Sequence, residues 1–480
     1  MKNYFKFFTL IFILISANFI TGCNKDKYPL DYSEKLQKKN KVEDISYDID
    51  KSKGKSKVIS SVLTDEKVLS LTFQGMGNEE SLNKLLDELD KYNIKATFFV
   101  SGIKVAEEPE LANLIVNRGH ELGNLTLYAG DLTELSYEEK VRQIKRSHDV
   151  IKKYTNVDIK YLRAGNGAID EEVKVAAANC DYENIVSYSV NPQDWQGKSV
   201  DEIVDIINEN VSRGSILTLS ADKNLDAYKS IKSIVESLNE RNFKFVPLDK
   251  LISINNDDFK LDENWYEQIE KKYEEGFKII NNGLRSEKKV ALTFDDWASD
   301  DTVDEILDIL DKYNIKATFF LRAKGVEQNP SLAYTISQRG HEIASHTYEH
   351  INLDTLTEEE IKEDLIKSHE VISNAIQKEA KLYLRPPRGI INEEIAKIAG
   401  ECGYEDIIMY DNPSALDWKE DKSAKEIANH VLKNNSSNGD IILLHILDNI
   451  NTAKALPTII EGLHNKGLEI VTVGDLLNDN

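Results

Sequence analysis

Hydrophobic positions along this chain follow two periodicities, and the two alternate. Residues 290–294 are apolar apart from Thr293, which predicts a strand buried on both faces. Val303, Ile306, Leu307 and Leu310 then recur at helical spacing and predict a helix over 302–313. Residues 317–321 and 342–345 read as the next strands. Residues 331–339 read as a helix between them, and 357–376 as a long helix with Glu and Lys on its polar face. Strands that alternate with amphipathic helices are the mark of parallel βα units. Roughly seven such units suit a closed or nearly closed barrel.

The pattern is written twice. Residues 90–99 match 311–320 at every position, with an offset of 221 residues from Asp90 to Asp311. Arg118-Gly119-His120-Glu121 matches Arg339-Gly340-His341-Glu342, Tyr161-Leu162-Arg163 matches Tyr383-Leu384-Arg385, and Asp194-Trp195 matches Asp417-Trp418. So long a period means tandem domains rather than a solenoid. The expected fold class is α/β, with two tandem distorted barrels over 65–255 and 286–478. A helical linker over 256–285 joins them, in which Trp265, Tyr266, Tyr273 and Phe277 favour packing over solvation. Cys180 and Cys402 occupy equivalent positions and read as buried core thiols rather than a disulfide.

Composition narrows the function. The 480 residues carry a net charge of −23, which argues against a nucleic-acid partner, because phosphates need a basic face. The same charge disfavours highly acidic polymers at low salt. Three cysteines rule out a disulfide scaffold and a cysteine-based zinc module. A monomer is expected.

The N-terminus reads as an export signal over 1–22. Lys2 and Lys6 precede an apolar run over 7–15 that is too short to span a bilayer comfortably. Ile20-Thr21-Gly22-Cys23 follows and resembles the lipobox of bacterial lipoproteins, in which the cysteine becomes the lipidated first residue. That resemblance implies a protein anchored through Cys23 at the outer face of a bacterial membrane. Residues 23–64 are polar, without a sustained apolar period, and read as a tether.

In the second copy, polar residues stand at the end of each predicted strand. Asp295-Asp296 follows the first, His346 and His350 a later one, Arg385 and Arg388 the next, then Asp417-Trp418, and finally His445. In parallel α/β folds these strand ends meet at one mouth. Singly, each has an ordinary reading as a helix cap, a surface histidine pair, an ion-pair partner or a core histidine. Together they point to chemistry. Two imidazoles and one carboxylate leave open positions on a metal, the layout of catalytic zinc, and the same N/O donors accept Co, Mn, Fe or Ni. A second carboxylate then acts as general base and a separate histidine as general acid.

The ordered segments TFDD, SHTYEH, RPPRG, LDW and ILLH resemble the motifs of the polysaccharide deacetylase (NodB-homology, carbohydrate esterase 4) family over about residues 286–476. The resemblance implies a distorted (β/α)7-type barrel that removes N-acetyl groups from amino sugars. It implies Asp295 as general base and Asp296, His346 and His350 as metal ligands. Arg385 would orient Asp295, and Asp417 would orient His445, the general acid. Trp418 and Leu443 would wall the acetyl pocket. Trp297 stands where the family often has Gly, and either narrows or stacks in the groove or only packs on the domain. Arg388 replaces a common Tyr whose backbone N–H helps to stabilise the oxyanion. A backbone donor survives a side-chain change, and Arg388 would instead alter substrate choice.

The first copy lacks these groups. Gln74 and Gly75 replace the aspartates, Leu125 and Ala129 the histidine ligands, and Ser220 the acid histidine. An inert barrel is expected, one that packs on the active copy, binds glycan or acts simply as a spacer. The leading function is metal-dependent deacetylation of peptidoglycan or poly-N-acetylglucosamine. The rival is a non-catalytic glycan-binding surface lipoprotein. Cys23→Ser should move the protein from the membrane to the soluble fraction on cell fractionation, and unchanged partitioning contradicts lipid anchoring.

Overall fold

The computed structural model describes residues 53–221, 227–254, 259–271, 276–410 and 415–478. The signal segment, Cys23 and most of the tether lie outside the described residues. Contacts group the chain into two compact units. One holds the described residues up to Val58, Phe99–Leu114 and Leu122–Val186, and the other holds Ile59–Phe98, Ile115–Glu121 and the described residues from Ser187 onward. The second unit therefore contains part of the first repeat and all of the second. No helix among the described residues is long and apolar enough to cross a membrane.

The strands of the first repeat are β1 (Lys57–Ile59), β2 (Val68–Gln74), β3 (Thr97–Val100), β4 (Glu121–Asn124), β5 (Asn184–Val186), β6 (Ser215–Ser220) and β7 (Lys244–Phe245). Those of the second are β8 (Lys278–Ile280), β9 (Lys289–Asp296), β10 (Thr318–Leu321), β11 (Glu342–Ser345), β12 (Tyr383–Leu384), β13 (Asp406–Ile408), β14 (Ile441–His445) and β15 (Glu469–Val471). The second set forms one sheet in the order β14-β9-β10-β11-β12-β13-β8, with β15 also on β9. Every pairing in it is parallel. Its two ends approach each other. Asn282, just past β8, bridges Asp440, just before β14, and the Gly283 amide donates to the Gly439 carbonyl at 2.8 Å. The result is the nearly closed barrel that the alternating pattern predicts.

The segment read as a helical linker is helical only over Trp265–Glu270 among its described residues, and it supplies strand β8. The short run Ile279-Ile280 pairs with Ile407-Ile408 of β13, a register that a local reading cannot see. The expected packing does occur at Trp265. Its ring is buried 4.4 Å from that of His369, and its Nε1 donates to Glu370 at 3.3 Å. Tyr266 and Phe277 pack on the core around Leu384, Cys402 and Tyr404. Tyr273 lies outside the described residues.

Local signals place the helices well. In α1 (Asp300–Lys312) the residues Val303, Ile306, Leu307 and Leu310 are all buried, as their spacing predicts. Thr357 caps α2 (Glu358–Ile376) in a reciprocal capping box with Glu360. Strand β9 is buried from Val290 to Asp295, which accounts for its largely apolar run. Cys180 and Cys402 are free and buried, and burial pushes both thiols up to about 12, so they are inert core groups.

Closure of the second barrel generates a stability prediction. Gly439 sits at φ +79, and a Cβ there would lie 2.7 Å from the Gly283 carbonyl oxygen. Gly467 has a similar φ of +73 with open space around it. Gly467→Ala should cost about 1 kcal/mol of backbone strain, and Gly439→Ala at least about 2 kcal/mol, because the clash adds to the strain. Urea unfolding of the two variants checks this, and equal losses contradict the closure.

Candidate active site

Parallel register sets the geometry of the site. His445 is paired with Asp295 across β14 and β9. Leu321 is paired with Asp296 across β10 and β9, and Leu321 is also paired with Ser345, the residue before His346, across β10 and β11. The residues expected to act therefore leave their strands at one rim.

Among the described residues, Asp296, His346 and His350 form the one trio of potential metal donors whose ligand atoms all lie within 4.8 Å of one another. The His350 Nε2 is 3.6 Å from an Asp296 carboxylate oxygen, too long for a hydrogen bond. The His346 Nδ1 lies 2.7 Å from the Arg385 carbonyl. A carbonyl only accepts, so Nδ1 carries the proton and Nε2 keeps its lone pair for the site. A backbone anchor of this kind is what a histidine ligand needs to be held in one tautomer. Burial holds the His350 pKa below its usual value, the neighbouring His346 adds to this, and Asp296 opposes it. Two imidazoles with one carboxylate fit a divalent ion of borderline softness.

The backbone here is unusual. Asp296, Thr347 and His350 adopt φ of +80, +65 and +61, a region that non-glycine residues rarely occupy and that is found mostly where function demands it.

Asp295 is buried beside the trio, with its second oxygen 3.8 Å from His346 Nε2. Arg385 donates to its other oxygen at 2.8 Å. The guanidinium is itself buried and fixed, donating to Thr293 Oγ1 at 2.7 Å and to the Ile408 carbonyl at 3.1 Å. Its centre lies 4.0 Å from the Phe320 ring centroid. The carboxylate is thus held in one orientation beside the trio, placed to accept a proton.

His445 stands opposite. Its Nδ1 donates to Asp417 at 2.8 Å. The fully buried Asp417 carboxylate also accepts from the His445 amide at 2.7 Å and from Thr452 Oγ1 at 2.8 Å. Nε2 is left as the working atom. Burial works against the charged imidazole, but the Asp417 hydrogen bond and charge, with the charges of Asp295 and Asp296, win and raise the His445 pKa. The pairing suits a general acid.

The structure also locates the residues expected at the substrate. Leu443 is buried two positions before His445 and so shares its face of β14. Trp418 is 48% exposed, available for stacking. Arg388 is exposed at φ +57 and donates to Asn352 Oδ1 at 2.9 Å. Trp297 packs on the core, and a Cβ on Gly325 would come within 2.3 Å of its indole, so its ring is held in the domain body. Sequence reasoning missed Thr293, Thr452, Asn352 and Tyr410. Thr293 was accessible in principle, since it lies two before Asp295 on the same strand face. Tyr410 stands two residues past β13. Its hydroxyl approaches the place where a Gly389 side chain would start, and burial, then the charge of Asp295, raises its pKa.

The family model for polysaccharide deacetylases matches residues 61–185 and 282–407, more than half of the chain. The chain belongs to this family. A peptidoglycan-N-acetylglucosamine deacetylase of Bacillus cereus is 34% identical over 203 residues, 42% of this chain and 92% of its own. The peptidoglycan-N-acetylmuramic acid deacetylase PdaA of Bacillus subtilis is 32% identical over 197 residues, 41% of this chain and 73% of its own. Among solved structures, a peptidoglycan N-acetylglucosamine deacetylase is 32% identical and covers 45% of this chain and 98% of its own, with a TM-score of 0.40.

The first repeat of this family member keeps the frame and lacks the donors. Gln74 is paired with Ser220, the register that pairs Asp295 with His445. The Ser220 amide donates to Asp194 at 3.0 Å, as the His445 amide does to Asp417. Gly75, Thr126 and Ala129 keep φ of +92, +67 and +56. Arg163 donates to the Val186 carbonyl at 3.0 Å and lies 3.9 Å from the Phe99 ring centroid, the setting of Arg385 over Phe320. The two arginines thus share one setting in the two repeats.

Asp417→Asn removes the charge that keeps His445 protonated. A raised pKa holds the acid form to higher pH, so its loss should move the alkaline limb of the pH–rate profile to lower pH. It should also cut kcat about a hundredfold or more. A profile unchanged in position contradicts the pairing.

Proposed function

We propose that the second repeat hydrolyses the N-acetyl amide of an amino-sugar polymer, and that peptidoglycan is the substrate. The observation that carries this is one rim holding a ligand trio, an arginine-paired carboxylate and a histidine backed by a buried carboxylate. Asp296, His346 and His350 would hold the cation, with zinc the proposed ion and Co, Mn, Fe or Ni compatible with the same donors. A bound divalent ion supplies Lewis acidity that polarises the amide carbonyl and lets water ionise near neutral pH. Asp295, oriented by Arg385, takes the proton of the attacking water. His445 gives a proton to the departing sugar nitrogen, and Asp417 holds the imidazole for that transfer and balances its charge. Leu443 and Trp418 would border the acetyl methyl and the sugar.

The electrostatics at the rim support peptidoglycan over a neutral polymer. Arg322 follows β10, and its amide donates to the Asp296 carbonyl at 3.4 Å. Its Nε is buried without a hydrogen-bond partner among the described residues. The charges of both Arg322 and Arg388 act on His350. Guanidiniums of this kind favour a carboxylate on the substrate, and muramyl residues and stem peptides supply one. The net charge of −23 opposes acidic polymers only at long range. Lipid anchoring through Cys23 would hold the enzyme on the outer face of the membrane, next to such a substrate.

Acetate release from peptidoglycan and from N-acetyl-chitooligosaccharides, with added Zn or Co, tests the proposal. Wild type should release acetate and lose activity with a chelator. Asp295→Asn and His346→Ala should each reduce kcat about a hundredfold or more. No metal-dependent release from any amino-sugar polymer supports instead a glycan-binding lipoprotein.

A further inference from the structure

The helix that follows the site's aspartates begins in a cluster of acids. Asp300, Asp301 and Asp304 lie in the first turns of α1, four to eight residues past Asp296. Acids are favourable at a helix N-terminus, but here Asp300 and Asp304 are also buried, at 3% and 9% exposure. Buried carboxylates need countercharge, and within the second unit most of it comes from the first repeat. Arg213 is buried and bonds both Asp300 and Asp304. Lys67 lies 2.7 Å from Asp304, and the Arg241 Nε is 3.0 Å from Asp301. From the second repeat itself, Arg339 approaches Asp304 only to 3.9 Å. Even with Arg213 opposing it, burial raises the Asp300 pKa. The matching helix of the first repeat, Glu79–Lys91, starts with Glu79 and Glu80 exposed, so the burial is particular to the second.

The same turn is tied to the other side of the site. Asp448, three residues past His445, accepts from Ser299 Oγ at 2.7 Å and Thr302 Oγ1 at 2.5 Å. The turn over 295–304 thus connects the proton acceptor, one metal ligand and the loop after the general acid.

We infer that Arg213 of the inert repeat is a positioning residue for the active one: by neutralising the buried Asp300 and Asp304 it fixes the turn that carries Asp295 and Asp296. The inert repeat is then part of the working enzyme, supplying charge where the active barrel has buried acid. Arg213 also donates from Nε to the Asp65 carbonyl at 3.1 Å, and Ser331 Oγ meets the Val62 carbonyl at 3.4 Å, so the guanidinium is held in a defined seam.

The zinc arm of the test rests on the metal-dependent reading of the site, and the exchange arm does not. In the full mature chain, Arg213→Gln should raise backbone hydrogen exchange over 295–304 about tenfold in metal-free protein. It should weaken zinc binding about tenfold by calorimetry. Adding Asp300→Asn and Asp304→Asn to Arg213→Gln removes the stranded charge and should bring both quantities back to within about threefold of wild type. Exchange and zinc affinity both unchanged in Arg213→Gln overturn the inference. So does a triple variant as impaired as the single one, since the loss then comes from general packing. If Arg213→Gln does not fold, the triple variant carries the test: wild-type exchange over 295–304 supports the inference, and raised exchange overturns it. A wild type that neither binds zinc nor releases acetate counts against the proposed function and leaves the exchange comparison as the measure of positioning.

Discussion

A parallel sheet delivers the carboxyl end of every strand to the same rim, and the second repeat depends on that constraint more than on any single bond. Asp295 faces His445 only because β9 and β14 run in one register, and Asp296 neighbours Leu321 only because β9 and β10 do. A slip of one residue in either pairing would turn the aspartates away from the site. The ion pair between Arg385 and Asp295 then locks the arrangement from inside. It joins β12, β9 and, through the Ile408 carbonyl, β13. Because the guanidinium and the carboxylate are both buried, neither can be lost without stranding the other.

Much of this was legible before any coordinates. Regular alternation of apolar runs with helical spacing gave the parallel barrel, and the exact match of residues 90–99 to 311–320 gave the tandem repeat. The trio of Asp296, His346 and His350, the Arg385–Asp295 pair and the His445–Asp417 pair all stand where the motif order implied. What escaped depended on long-range register or on side chains without a pattern. Strand β8 is three residues long and gains its partner 128 positions away at Asp406. Thr452 reaches Asp417 from the start of a later helix, and nothing in its neighbourhood marks it. Trp297 was left open between groove and core, and its contact with Gly325 places it in the core.

The two repeats together show which features belong to folding and which to chemistry. Positive φ at Gly75, Thr126 and Ala129 repeats that at Asp296, Thr347 and His350, so the local backbone conformation is kept at each position even where the donors are gone. Arg163 is anchored as Arg385 is. The buried aspartate that receives the strand amide is also kept, as Asp194 and Asp417. At the positions of Asp295, Asp296, His346, His350 and His445 the first repeat instead carries Gln74, Gly75, Leu125, Ala129 and Ser220. That contrast makes the first repeat an internal control for the second.

The account stands on Asp296, His346 and His350 sharing one ion. Anomalous diffraction at the zinc edge, on crystals of the zinc-loaded protein, addresses that most directly. The expected result is one strong peak among these three side chains and none at Gly75, Leu125 and Ala129. A zinc-loaded crystal with no peak at the trio, or with its strongest peak elsewhere, contradicts the account.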